Sequence, residues 1–242
     1  MSLKKLNILS ELQSDILRMQ GFKPSGIQLE NDGLGFMRDV FPNGSFPIGC
    51  VHEFLASQVE DAASTCGFMS GILSSLMRSQ GAVLWISSTR KIFPPALKNF
   101  GIDPARFIFI DLQKEKDVLW AMEEALKCSA LTAVVCEIQG IDFTASRRLQ
   151  LAVEKSQVTG FIIRTNNKKP GPTACVSRWM ISSLPSNGID DLPGIGFPSW
   201  RVELLRMKNG KTGSWNIQWV NGKFAEVRER ELAEHDQQLK AG

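Results

Sequence analysis

The sequence has little of what metal and nucleophile chemistry needs. Only two histidines, His52 and His235, stand in 242 residues, and they lie far apart. Neither a histidine-based metal site nor a Ser-His-Asp relay is expected from them. The five cysteines (Cys50, Cys66, Cys128, Cys136, Cys175) are scattered, odd in number, and form no C-x-x-C pair. They read as buried small hydrophobes in a reducing compartment, not as a disulfide frame or a zinc site. No apolar run approaches the roughly 18 residues of a membrane span. The start, Met1-Ser2-Leu3-Lys4-Lys5, lacks the apolar core of a secretory leader. The expectation is a cytoplasmic protein with no membrane partner.

A further absence lies in the stretch around which the chain is organised. Cys50 to Leu55 reads as a strand, Ala62 to Gln80 as an apolar-periodic helix, and Ala82 to Ile86 as a second strand. That order is a βαβ unit, whose parallel strands bury both faces. In nucleotide-binding proteins of this build, the loop after the first strand cradles phosphate at the helix start. Such a loop needs G-x-x-x-x-G-K-[ST]. Here it reads ASQVEDAAST over 56–65, with no glycine and no lysine. Glu60 and Asp61 would repel a polyphosphate, and only Ser64 and Thr65 resemble the closing hydroxyl pair. The scaffold suggests an ATPase while its residues argue against one. No cofactor and no catalytic residue is expected. The alternative is a nucleotide site, with Mg·ATP held by Ser64, Thr65 and Glu137.

What is present suits a sizeable α/β domain: 43% hydrophobic and 22% charged residues over 242 positions. Leu3 to Gln20 carries Leu9, Leu12, Ile16 and Met19 on one stripe, an amphipathic helix ended by Gly21. Residues 1–40 form that helix and a Gly/Pro-rich connector. Pro94 to Phe100 reads as a short helix before Gly101. Third, fourth and fifth strands follow at Arg106 to Leu112, Thr132 to Ile138 and Gly160 to Thr165. Helices fall between them at Lys114 to Cys128 and from Asp142 to about Lys155. The alternation predicts a doubly wound, mostly parallel sheet flanked by helices.

Beyond Thr165 the pattern changes. Strands are expected at Arg178 to Leu184, Trp200 to Met207, Trp215 to Val220 and Lys223 to Val227. Asn221-Gly222 is a hairpin signal. This is a C-terminal antiparallel extension of the sheet, from about residue 173. The domain proper runs 41–227. A charged tail, 228–242, follows, and the Gly/Pro-rich stretch Ser186 to Pro198 interrupts the extension.

Charge is uneven. Gly160 to Lys223 holds nine Lys/Arg against three acids, on a chain whose net charge is only +3. A basic second half is compatible with a nucleic-acid face and equally with solvated loops. Arg164, Lys168 and Lys169 leave the fifth strand together and are the candidates for DNA contact, since phosphate needs only cations and N–H groups. Trp179, Trp200, Trp215 and Trp219 could stack on bases, but aromatics on antiparallel strands more often pack across strands. Arg147 and Arg148 read as a solvated helix face.

Two sets of residues carry a resemblance. The first is Phe46-Pro47-Ile48-Gly49-Cys50-Val51-His52-Glu53-Phe54. The second is Ser177-Arg178-Trp179 with Trp200-Arg201-Val202-Glu203-Leu204-Leu205-Arg206 and Gly213-Ser214-Trp215. In this order they resemble the RecA-like fold and, more specifically, the ImuA family of SOS-linked accessory proteins, related to RecA and to the cell-division inhibitor SulA. The resemblance covers about Phe41 to Val227. It implies a non-catalytic factor in SOS-induced translesion synthesis, bridging a Y-family-like polymerase homologue and an error-prone replicative polymerase. Single-stranded DNA is a further implied partner, and homo-oligomers are compatible with the fold. RecA's catalytic glutamate would follow the second strand, where this chain has Ser87-Ser88-Thr89. Its magnesium-side aspartate would end the fourth, where Cys136-Glu137 stand. Two alternatives stay open: a nucleotide-binding RecA-like ATPase, and a SulA-like inhibitor of a tubulin-like GTPase.

Overall fold

The computed structural model describes Leu12 and residues 33–227, apart from 43, 57, 80, 89–91, 167–169 and 187–195. The expected helix at 3–20 (Leu12 excepted), the tail 228–242, Lys168, Lys169 and most of 186–198 lie outside these residues.

Among the described residues nine strands form one sheet: β1 Val51–Leu55, β2 Ala82–Ser87, β3 Phe107–Asp111, β4 Leu131–Ile138, β5 Thr159–Arg164, β6 Ser177–Leu184, β7 Ser199–Met207, β8 Gly213–Val220 and β9 Lys223–Glu226. Their order is β3-β2-β4-β5-β1-β6-β7-β8-β9. All pairings from β3 across to β6 are parallel, and those from β6 to β9 are antiparallel. One detail differs from expectation. The strand at 177–184 runs parallel to β1, because the chain crosses from the end of β5 back to the start of the sheet before pairing. The antiparallel part therefore begins at the β6/β7 pair.

Among the described residues three α-helices flank the sheet: α1 Val59–Leu76, α2 Glu115–Leu126 and α3 Phe143–Ser156. Asp142 starts α3 by accepting the Ala145 N–H at 2.7 Å, and Gln157 ends it with φ of 61°. The segment Pro94–Phe100 is 3-10 rather than α, and Gly101 closes it at φ of 72°.

Apolar residues alternate between two cores, as period-two strands require. Val83, Trp85, Ala133, Val135, Phe161 and Ile163 face α1. Leu84, Ile86, Val134, Cys136 and Ile162 face α2 and α3. The α1 core continues without a break through Trp179, Trp200, Val202, Ile217, Trp219 and Phe224. The helix pair covers only the β1–β5 half of the opposite face. On that side, β6 to β9 present half-buried and exposed residues such as Arg201 and Leu205. The Asn221-Gly222 turn has φ of 51° and 75°, the left-handed pair that a tight hairpin requires.

Candidate nucleotide and nucleic-acid sites

Ligands of open parallel sheets bind outside the carboxyl ends of the strands. At that end β1 stops at Leu55 and α1 starts at Val59, leaving a connection of only three residues, 56–58. The expected loop, 56–65 with a helix from Ala62, is longer. The helix instead absorbs it, because Asp61 folds back and its Oδ2 accepts the Gln58 N–H at 3.2 Å. That carboxylate, with Glu60 beside it in the first turn, occupies the positive end of the helix where phosphate would lie. Ser64 and Thr65 sit in the second turn, both buried, so neither reaches the helix start. Thr65 is wholly enclosed, and its Oγ1 has no hydrogen-bond partner. The residues present do not fit a magnesium-nucleotide complex at this connection.

Glu137 lies apart from Ser64 and Thr65 in role. It shares the α1 face of β4 with Val135, whereas Cys136 points to the α2/α3 core. Its Oε1 accepts the Trp85 Nε1 proton at 2.8 Å. Beyond it, Ser88, Gln113, Glu115, Gln139 and Thr165 line a cavity of about 200 Å³ at the strand ends. Among the described residues, no group of three His, Cys, Asp or Glu side chains is placed to hold a metal ion.

Arg164 is put to a different use from the DNA contact expected of it. It is 5% exposed, and its Nη1 donates to Glu53 Oε1 at 3.0 Å. Glu53, fully buried on β1, takes two further donors on Oε2: Arg178 Nε at 2.7 Å and Thr173 Oγ1 at 3.0 Å. Arg206 on β7 donates to the Thr173 carbonyl at 2.8 Å, and Arg178 Nη2 to the Gly171 carbonyl at 2.6 Å. The network closes the seam where the α2/α3 layer stops. It also fastens Gly171 and Thr173, next to Ala174, whose N–H donates to Ser146 Oγ of α3. Sequence reasoning named Arg164 for another role and missed Glu53. A signal was there: a glutamate inside an apolar strand buried on both faces must have partners.

His52 shows the same logic in neutral form. Its Nε2–H donates to the Pro47 carbonyl at 2.9 Å, so Nδ1 accepts from the Ser177 hydroxyl at 2.6 Å. Ser177 in turn accepts the Trp179 Nε1 proton at 2.6 Å. Burial holds the imidazole down at a pKa of about 4, although the Pro47 bond opposes the shift. Three of the five thiols are quiet for the same reason. Burial raises Cys50 and Cys136, and pushes Cys175 up to about 12. Trp179, Trp200 and Trp219 are buried in the α1 core and Trp215 packs against it, so none is a free stacking platform.

A parallel sheet in the order 3-2-4-5-1-6, extended by antiparallel hairpins, with its nucleotide connection shortened and self-capped, defines a RecA-like domain of unusual kind. The RadB recombinase crystal structure shares this fold, with a TM-score of 0.54 and 15% identity over 78% of this chain and 96% of that one. No protein-family model matches. Protein ImuA of Caulobacter vibrioides, strains NA1000 and CB 15, is 35% identical over 190 residues, which span 74% of this chain and 78% of that protein. The chain belongs to the ImuA family.

Proposed function

We propose that the chain is a non-catalytic RecA-like accessory factor in SOS-induced translesion synthesis, working by binding and not by turnover. The observation that carries this reading is the self-capped start of α1. A nucleotide would have to displace Asp61, unfold the first turn and find cations that the 56–58 connection lacks. Family membership supports the pathway. The partners in this reading are a Y-family-like polymerase homologue and an error-prone replicative polymerase.

DNA contact falls to the segment after β5, which carries Lys168 and Lys169. Arg164, at the end of β5, is an anchor in the Glu53 network. A thermal-shift titration with Mg·ATP, then with single-stranded DNA at two salt concentrations, tests both halves. The expected result is no shift with Mg·ATP, and DNA binding that weakens steeply with salt and is lost in Lys168→Ala/Lys169→Ala. A Mg·ATP shift abolished by Ser64→Ala/Thr65→Ala would return the chain to the nucleotide-binding class.

A further inference from the structure

The outer surfaces of α2 and α3 form a groove of about 490 Å³. Leu151 and Ala152 supply its apolar lining, while Lys127, Arg148 and Lys155 face Glu123 around them. A single exposed leucine calls for no explanation. This one, 47% exposed, is not single. Phe143 stands two turns earlier on α3 at 54%, and Trp120 one turn before Glu123 on α2 at 64%. Of the seven large apolar side chains exposed among the described residues, three lie on this helix pair. Phe143, Arg147 and Leu151 follow one another at i, i+4 and i+8, so apolar and cationic groups alternate along one stripe.

The charges lining the groove lean one way, with Lys127, Arg148 and Lys155 against Glu123, while Glu154 stands beside Lys155 outside the lining. Glu123 is shared between Arg148 and Lys127, and Lys127 also reaches Glu124. Arg147 and Lys155, both exposed, have no ion pair among the described residues. Apolar anchors beside unmatched cations suit a ligand with the opposite pattern. We propose that this face docks a short acidic segment of a partner protein. Its apolar side chains would cover Leu151, and its carboxylates would meet Arg147, Arg148 and Lys155. Nucleic acid fits less well, because its phosphates gain nothing from Leu151 and Phe143. The surface is also remote in kind from the Glu53 network. It uses exposed helix faces, whereas that network is sealed.

The test uses a fluorescein-labelled 14-residue peptide with leucine at i and i+4 repeats and glutamate elsewhere, against the same peptide with lysine for glutamate. Anisotropy is read on the full chain at low and moderate salt. The acidic peptide should bind saturably, and the lysine peptide should not. Leu151→Glu should weaken binding at least tenfold. Arg148→Glu/Lys155→Glu should do the same and gain the lysine peptide. All three positions are at the surface, so unchanged thermal unfolding should show that the fold survives. Absence of saturable binding, or binding indifferent to both variants, overturns the proposal. So does a single-stranded oligonucleotide that competes through the same residues, which would assign the face to nucleic acid. Concentration-dependent dimerisation abolished by Leu151→Glu would assign it to a second copy.

Discussion

Glu53 Oε1 and Arg164 Nη1 lie 3.0 Å apart at the centre of the sheet, on adjacent parallel strands, with side-chain exposures of 0% and 6%. Arg178 and Thr173 fill the second carboxylate oxygen, while Arg164 Nε stays buried without a hydrogen-bond partner. Removing the carboxylate leaves two desolvated guanidinium groups with no counter-charge. Glu53→Ala should therefore destabilise the fold by about 3–5 kcal/mol, read as a lowered urea midpoint. Arg201→Ala, which removes an exposed cation 4.0 Å from Glu203, should cost less than about 1 kcal/mol in the same experiment.

His52 gives a pH signature. Its folded pKa of about 4 lies below the ordinary 6.5. The unfolded chain thus takes up the proton first as pH falls. The contribution of His52 is complete above about pH 6.5 and is lost progressively between there and about pH 4. The loss should approach about 3 kcal/mol at the lower end. Urea unfolding measured at several pH values should show this slope, and His52→Gln should flatten it.

Asp61→Ala should cost about 1 kcal/mol by removing the acceptor for the Gln58 N–H and a negative charge from the start of α1. The same variant should still give no thermal shift with Mg·ATP, because the connection lacks a lysine and glycines as well as carrying the acid. Differential scanning fluorimetry reads both outcomes.

Gly71 on α1 packs directly on the hairpins. A Cβ built there would fall 2.2 Å from Phe224 Cζ and 2.9 Å from Trp219 Cζ3. Both rings are buried, so neither can swing clear. Gly71→Ala should destabilise by about 1–3 kcal/mol despite the gain in helix propensity. Gly222→Ala meets no atom within 4 Å, but its φ of 75° makes it strained for a different reason. Chemical denaturation of the two variants separates steric from backbone cost.

The strands were legible because period-two alternation and Gly/Pro punctuation mark them directly, and the Asn221-Gly222 hairpin was legible from its turn residues. The absence of a phosphate-binding lysine could also be read off. The helix start could not. Asp61 capping Gln58 is a geometric event, and residues 59–61 have no periodicity of their own to announce it. Nor does sequence reveal the direction of β6, since a strand reads the same whether its neighbour runs with it or against it. A cation leaving a strand reads as exposed in the sequence, which is why Arg164 looks like a DNA contact there. Its burial follows from Glu53, 111 positions away in the chain.

The apolar layer beneath α1 reaches from Val83 on β2 to Phe224 on β9. The parallel half and the hairpins should therefore open together as one foldon. Amide protons in β7 and β8 should exchange at rates close to those of β4 and β5, set by global unfolding. Shortening the chain before β9 would withdraw Phe224 from contact with Phe68, Trp200 and Trp219. The damage would pass to α1 itself and so to both ends of the sheet.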